Sequence, residues 1–152
     1  MTNNKTKQSG FTLLEVLITL VILAIGLLGL AGMQATGLKN NHSAYMRSQA
    51  TQFAYDIADR MRANTIAIAS YITSDPSTAS AQASCMAAGC TPAQMAGNDL
   101  FEWNSALTST LPLAEATISV ATGVYTITIN WDDNRDGLVD SDDPDFQVSF
   151  EL

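Results

Sequence analysis

Oxygen-bearing side chains recur at fixed intervals in an acidic stretch near the end of the chain, residues 132–143. Counted from the first aspartate, carboxylate or amide oxygens stand at positions 1, 3, 5, 9 and 12, and a glycine stands at position 6. Oxygen ligands in this order suit calcium, and the glycine lets the chain turn sharply between them. The candidate calcium ligands are Asp132, Asn134, Asp136, the backbone carbonyl of Leu138, Asp140 and Asp143.

This spacing resembles the twelve-residue loop of EF-hand-like calcium sites. It is closer to the dockerin variety, because position 12 is Asp143 rather than glutamate, and the shorter side chain favours weaker binding. A strand rather than a helix is expected to lead into the loop. The alternative is a solvated acidic hairpin loop, since Asp, Asn and Gly favour turns without any metal. We expect a calcium site here and keep the hairpin loop as the alternative.

Cys85 and Cys90 are the two cysteines of the chain. If this part of the chain lies outside the cytoplasm, the compartment permits a disulfide between them. The disulfide would stabilise the fold by about 2 kcal/mol in the chain-entropy estimate. The alternatives are free thiols or a metal site, but a metal site needs four ligands and no further Cys or His lies nearby. The prediction is a disulfide.

The sequence contains no local signature of an enzyme. His42, the single histidine, lies in a helical stretch beside Asn40 and Asn41 with no nearby nucleophile, so neither Ser–His–Asp nor Cys–His catalysis is indicated. No glycine-rich phosphate loop follows a strand. The formal charge of −8 argues against nucleic-acid binding, which needs Lys and Arg to displace counterions. We therefore expect a non-enzymatic protein that does not bind nucleic acid.

A single carboxylate interrupts the apolar stretch from Phe11 to Met33. These 23 residues contain Glu15 as their one charge. As a helix they would extend about 35 Å, enough to cross a hydrocarbon core of about 30 Å. A carboxylate inside a spanning helix costs on the order of 3 kcal/mol near the bilayer centre, so it usually has a partner. We predict a transmembrane helix over 11–33 in which Glu15 has a partner; the alternative is that Glu15 only reaches the headgroups.

Basic residues precede this helix. Lys5 and Lys7 place the N-terminus in the cytoplasm by the positive-inside tendency. An ordinary secretory signal has a shorter apolar region followed by its small residue, whereas Gly10 lies before the apolar stretch. A cut after Gly10 would remove residues 1–10 as a leader peptide and leave the helix on the mature chain.

Residues 10–16, Gly-Phe-Thr-Leu-Leu-Glu-Val, resemble the processing and methylation motif of type IV pilins and type II secretion pseudopilins. The resemblance implies that a prepilin peptidase cuts between Gly10 and Phe11 and methylates the Phe11 amine. It also implies that Glu15 pairs with the N-terminal amine of a neighbouring subunit during assembly. Two buried charges of opposite sign cost far less together than either alone, so this pairing would account for the carboxylate.

Residues 34–152 are expected to form one periplasmic domain. Apolar residues at spacings of three or four continue the helix over 34–70, and a loop follows over 71–91. A short helix is predicted over 92–111. Alternating apolar residues over 116–152 predict three antiparallel strands that cover the helix. The expected fold class is α+β, a long N-terminal helix packed on a small antiparallel sheet, as in the resembled family. The predicted helix stripe consists of Met46, Ala50, Phe53, Ala54, Ile57, Ala58, Met61 and Ile68.

Residues 99–103, Asp-Leu-Phe-Glu-Trp, followed by Leu111-Pro112, further resemble the middle region of PilV-type minor pilins. The resemblance implies a single-pass inner-membrane protein, with a cytoplasmic N-terminus and a periplasmic domain, that later enters the extracellular pilus. Its implied partners are other minor pilins, the major pilin, prepilin peptidase, the inner-membrane assembly machinery and membrane lipid. The alternatives are a minor pseudopilin of a type II secretion system and a membrane-anchored calcium-binding module that never polymerises.

Overall fold

A computed structural model describes residues 10–87 and 89–152 of the chain. The predicted leader, residues 1–10, lies outside the described residues except for Gly10. The chain divides into two compact units, Met1–His42 and Ser43–Leu152. The first unit is helical from Leu13 onward, and the second unit combines helices with an antiparallel sheet. The fold is therefore of the predicted α+β class.

Helix α1 extends from Leu13 to Ala63. It begins after Thr12, whose hydroxyl oxygen accepts a hydrogen bond from the backbone N–H of Glu15 at 3.3 Å. A side-chain acceptor at this position satisfies one of the free donors of a helix start. All residues from Gly10 to Thr36 are exposed. The apolar surface of α1 in the first unit is therefore available to lipid or to other helices.

Within the second unit, α1 buries one face. The predicted stripe is confirmed, since six of its residues are buried and Phe53 and Ile68 pack against them partly buried. Small alanines alternate with larger residues along this face, which allows other elements to approach the helix closely. The buried residues of α1 are Met46, Ala50, Ala54, Ile57, Ala58 and Met61.

The α-helix ends at Ala63, so the prediction of a helix to residue 70 is wrong in its last turns. Thr65–Tyr71 instead form a 3₁₀ segment with a non-helical kink at Ala67. The segment contains β-branched residues, which lower helix propensity. The side chain of Asn64 donates to the carbonyl oxygen of Pro92 at 2.8 Å, a contact available only in the folded chain.

The predicted loop over 71–91 contains two short helical segments. Pro76–Thr78 form a 3₁₀ turn capped by Asp75, whose carboxylate accepts from the backbone N–H of Ser77 at 2.9 Å. Helix α2 comprises Ala83–Ala87. Segments of about one turn are too short to produce an apolar period, which explains why the sequence does not reveal them.

Helix α3 extends from Pro92 to Thr110, one residue short of the predicted end. Its predicted start is confirmed. The Thr91 hydroxyl oxygen accepts from the backbone N–H of Gln94 at 3.3 Å, and Gln94 Oε1 accepts from the backbone N–H of Thr91 at 3.0 Å. These two bonds form a capping box. The apolar face of α3 is buried and consists of Leu100, Trp103 and Leu107, followed by Leu111.

The sheet contains three antiparallel strands, as predicted, and their order is β1-β2-β3. Thr122 and Gly123, with φ of 51° and 87°, form the turn between the first two strands. Positive φ at both positions suits a two-residue hairpin turn. Ile118, Ile127 and Ile129 are buried in one core with α1 and α3. The strands are β1 at Glu115–Ala121, β2 at Val124–Asn130 and β3 at Asp145–Phe150.

Candidate functional site

The predicted processing bond lies just before α1. Gly10 and Phe11 precede the first helical residue, and the Phe11 side chain is 84% exposed. A peptide bond outside a helix is not protected by helical hydrogen bonds, so a peptidase can bind this backbone in an extended form. The geometry is therefore compatible with cleavage between Gly10 and Phe11.

Glu15 lies in the first turn of α1, and its side chain is exposed. The backbone N–H groups at a helix start carry partial positive charge and favour a carboxylate at this position. The side chain of Thr19, one turn further, donates to the carbonyl oxygen of Glu15 at 2.7 Å, a bond that does not use the carboxylate. The Glu15 carboxylate is therefore placed where a second chain could reach it.

Helix α1 is long and apolar enough to cross a membrane, judged by length and composition alone. Its most apolar part, in the first unit, has no buried side chains. A core helix of a soluble protein would pass the same test of length and composition, but its apolar side chains would be largely buried. The exposure of these side chains separates α1 from that case.

Cys85 and Cys90 form the predicted disulfide, with their Cα atoms 4.7 Å apart. Cys85 belongs to α2, and Cys90 immediately precedes the cap of α3. The bridge therefore ties the start of α3 to the preceding short helix. This is a structural role, and it removes both thiols from nucleophilic chemistry.

The predicted calcium loop is the connection between β2 and β3. Gly137, at its sixth position, has a φ of 91°, a left-handed conformation that favours glycine. Asp132, at its first position, is 4% exposed. The Asp132 carboxylate accepts from the backbone N–H of Asp136 at 3.2 Å and from that of Gly137 at 3.0 Å. The loop therefore makes its sharp turn around the first candidate ligand.

The last candidate ligand closes the loop. The Asp143 carboxylate accepts from the backbone N–H of Asp133 at 2.9 Å and from that of Asp140 at 3.2 Å. In the part of the chain that the structure describes, no group of three or more His, Cys, Asp or Glu side chains is arranged to hold a metal ion. The support for calcium therefore comes from the spacing and turn conformation of the loop, not from converging carboxylates.

The fold also assembles a polar cluster of Arg60, Tyr71, Asp99 and Glu102, which we call the Arg60 cluster. Arg60 Nη1 lies 3.1 Å from Asp99 Oδ1 and 3.3 Å from Glu102 Oε2, both on α3. Burial by itself lowers the pKa of the Arg60 guanidinium, but the surrounding carboxylates outweigh this effect and raise the pKa. Asp56 adds an ion pair from the preceding turn of α1 at 3.3 Å. Only this last pair has a sequence signal, its four-residue spacing.

Tyr71 is the fully buried member of the Arg60 cluster. Its hydroxyl donates to the Asp99 carboxylate and accepts from Asn64 Nδ2, the latter at 3.3 Å. Burial, together with the hydrogen bond to Asp99, raises the pKa of the Tyr71 phenol. The phenol therefore stays neutral, and the cluster joins the end of α1, the 3₁₀ segment and α3. We assign it a structural role.

A cavity of about 420 Å³ lies between the 3₁₀ turn at residue 76, α3 and β1. Asp75 and Glu115 contribute its carboxylates. Hydrogen bonds from Ser77 lower the pKa of the Asp75 carboxyl, which is fully exposed and therefore ionised at neutral pH. No histidine, cysteine or basic residue lines the cavity among the described residues. No Ser–His or Cys–His pair therefore lines this cavity among the described residues.

Comparison with protein families gives two matches, which adjoin at residues 31 and 32. Residues 5–31 match the prokaryotic N-terminal methylation motif, which includes the Gly10–Phe11 bond and Glu15. Residues 32–101 match the Tt1218-like family, described as type IV pilin Tt1218. Neither the curated proteins nor the solved structures include a significant match. With the long apolar helix, the antiparallel sheet and both matches, the chain is a type IV pilin-like protein.

Proposed function

We propose that this protein is a minor pilin of the PilV type. Prepilin peptidase would process it, and it would then enter a type IV pilus or the complex that initiates the pilus at its tip. The observation that carries the proposal is the N-terminal arrangement: an exposed Gly10–Phe11 bond, then an exposed apolar helix with Glu15 in its first turn. Its action is structural, through helix packing and the pairing of Glu15 with the terminal amine of a neighbouring subunit. The resemblance over residues 99–103 supports the PilV type.

Before assembly, the chain would reside in the inner membrane, with its N-terminus in the cytoplasm and its second unit in the periplasm. The disulfide between Cys85 and Cys90 supports the periplasmic placement, because disulfides persist in oxidising compartments. Its partners would be the major pilin, other minor pilins, prepilin peptidase, the assembly machinery and membrane lipid.

Processing is tested by expressing the full chain with and without an active prepilin peptidase. Mass analysis of the mature protein should find N-methyl-phenylalanine at position 11 only when the peptidase is present. A mature chain that retains its first ten residues would contradict the proposal.

Assembly is tested with Glu15→Leu, which should leave processing intact but prevent entry into sheared surface filaments. Without the carboxylate, the neighbour's terminal ammonium would be buried unpaired, which is strongly unfavourable. Thr19→Val is the matched control, since it also replaces a polar residue by an apolar one in the same helix and should assemble normally. Glu15→Leu protein that assembles as well as wild-type would overturn the pairing.

The alternative is a minor pseudopilin of a type II secretion system. The N-terminal motif is common to both classes, so the distinction must come from the cell. Deletion that abolishes twitching and surface filaments supports the pilus, whereas deletion that abolishes protein secretion with filaments intact supports the pseudopilus. A third alternative, an anchored calcium-binding module that never polymerises, predicts neither loss.

We also propose that the loop over 132–143 binds calcium. Asp132, Asn134, Asp136, the Leu138 carbonyl, Asp140 and Asp143 would hold the ion. The left-handed Gly137 and the burial of Asp132 support this assignment. When bound, the ion would neutralise carboxylate charge and keep the connection between β2 and β3 in one conformation.

Calcium should raise the thermal midpoint of the full chain by a few degrees at concentrations about tenfold above Kd, because it binds the folded state. Asp136→Ala should abolish the shift. Asp142→Ala is the matched control, because it removes the same charge from the same loop at a non-ligand position and should retain most of the shift. A wild-type midpoint unchanged by calcium would contradict this proposal.

A further inference from the structure

Strand β3 forms one outer edge of the sheet. The opposite edge is partly covered, because Thr73 and Ile118 exchange two backbone hydrogen bonds of 3.0 and 2.8 Å outside β1. Among the described residues, no backbone–backbone hydrogen bond joins β3 to any segment other than β2. An edge of this kind is a template for a further strand.

The bridge at Thr73 also shows which backbone groups of β3 face outward. Both backbone groups of Ile118 point to Thr73, so Ile118 and its partner Ile127 form a non-hydrogen-bonded pair between β1 and β2. The backbone groups of Ile127 therefore point to β3, where its partner is Val148. Residues alternate along a strand, so Gln147 and Ser149 present their N–H and C=O groups at the open edge.

The side chains of β3 are only partly covered on the core face. Phe146, Val148 and Phe150 are half-buried, whereas Ile127 and Ile129 on the neighbouring strand β2 are fully buried. A fourth strand beside β3 would place apolar side chains next to this row and remove its remaining surface from water. The open edge therefore presents both outward-facing backbone groups and partly exposed apolar side chains.

The charge around β3 indicates what kind of strand would bind. Asp145 begins the strand and Glu151 follows it, and neither is one of the proposed calcium ligands, so both would keep their charge when calcium is bound. Arg62 lies 4.7 Å from the centre of the Phe150 ring but is already paired with Asp59 at 2.8 Å. A strand with lysine or arginine would be attracted to this edge. Two copies of the chain paired through β3 would instead bring the same acidic residues together.

We propose that the outer edge of β3 binds an extended segment of a partner protein as a fourth antiparallel or parallel strand. The segment would alternate apolar side chains, beside the row Phe146, Val148 and Phe150, with basic side chains on the opposite, exposed face. Backbone hydrogen bonds to Gln147 and Ser149 would provide affinity, and the alternation would provide specificity. The inference depends neither on Glu15 nor on processing at the Gly10–Phe11 bond, so its failure would leave the pilin proposal intact.

The test uses the full chain in a zwitterionic detergent and a capped peptide of about six residues that alternates valine and lysine, the length of a typical strand. The peptide should bind and slow hydrogen exchange at the backbone amides of Gln147 and Ser149. A peptide of the same composition with all lysines before all valines should bind at least about tenfold more weakly, because it retains the charge but not the alternation. Equal binding of the two peptides would overturn the proposal.

Ser149→Pro removes one outward N–H and leaves the backbone hydrogen bonds between β2 and β3 in place, since proline is tolerated at a sheet edge. The side-chain hydrogen bond of 2.9 Å between Ser149 and Thr126 is lost in the proline variant and equally in Ser149→Ala. It should weaken binding of the alternating peptide by about tenfold, the effect of one lost hydrogen bond in a protected site. Ser149→Ala keeps the N–H and should bind within about twofold of wild-type. Proline and alanine variants that bind alike would contradict the proposal.

A second measurement does not depend on how well the proline variant folds. Two peptides are N-methylated on every second amide, one on the odd-numbered and one on the even-numbered amides, and both are offered to wild-type protein. The peptide whose methyl groups block the amides that face β3 should not bind, while the peptide whose methyl groups block the amides that face solvent should bind. Equal binding of the two peptides would exclude strand addition.

Discussion

At the scale of single residues, the contacts of the buried Tyr71 hydroxyl with the Asp99 carboxylate are shielded from water, whereas the pairs of Arg60 with Asp56 and Glu102 are partly exposed. Arg60 forms ion pairs with three carboxylates, and the Tyr71 hydroxyl donates a hydrogen bond to one of them, Asp99. Removing one partner from such a network leaves the others without their hydrogen bonds, which costs more than the bond itself contributes. The Arg60 cluster should therefore be sensitive to single substitutions.

Tyr71→Phe should alter how stability depends on pH. The folded state raises the pKa of this phenol, so its protonated form contributes stability that is fully present below about pH 10, the ordinary tyrosine value, and is lost as the pH rises above it. Between about pH 10 and pH 12, the free energy of unfolding should fall more steeply for wild-type than for Tyr71→Phe. Urea unfolding across this range measures both slopes.

At pH 7, the same variant should be about 1–2 kcal/mol less stable than wild-type, because Asp99 loses a donor. Tyr55→Phe is the control, since Tyr55 is 55% exposed and should change stability little. Identical slopes for wild-type and Tyr71→Phe above pH 10 would show that the protonated Tyr71 hydroxyl does not stabilise the folded state.

At the scale of elements, α3 depends on how its first turn is closed. Thr91→Ala removes the oxygen that accepts from the Gln94 N–H and should lower the free energy of unfolding by about 1 kcal/mol. Thr91→Ser keeps that oxygen and should remain close to wild-type. Urea unfolding compares the three proteins, and a Thr91→Ala variant as stable as Thr91→Ser would contradict the role of the cap.

The disulfide supports the same end of α3. The double variant Cys85→Ser and Cys90→Ser should be about 2 kcal/mol less stable than the oxidised protein, a modest loss because the closed loop is short. Reducing the wild-type protein should give a similar loss, and reductant should not affect the double variant. A thermal midpoint unchanged by reduction would show that the hydrogen bonds of the cap suffice to hold this segment.

At the scale of the whole molecule, the hydrophobic core belongs to the second unit. Its buried residues range from Met46 to Trp131, and the described residues of the first unit up to Thr36 are all exposed. A chain lacking residues 1–34 should therefore fold, with a thermal midpoint within about 3 °C of the full chain. Near-ultraviolet circular dichroism of Trp103 and Trp131 reports their packing, and its loss on truncation would contradict this prediction.

Local patterns were sufficient for the helices and strands of regular period. The stripe on α1, the capping box of α3 and the alternation in β2 are each specified by residues that lie close together in the sequence. The helix end at Ala63 was missed, because Asn64 meets Pro92, which is distant in the sequence. The 3₁₀ turn at residues 76–78 and helix α2 at residues 83–87 lie within the predicted loop, because segments of this length have no apolar period.

The sequence alone determined the features that depend on order along the chain. These are the Gly10–Phe11 bond before an apolar helix, Glu15 in its first turn, and the spacing of the candidate calcium ligands over 132–143. The tertiary structure decided which distant groups meet and which surfaces remain open, namely the Arg60 cluster and the outer edge of β3. The physical reason is that hydrophobic burial brings together residues far apart in sequence, and a buried polar group or an unpaired strand exists only once that core has formed.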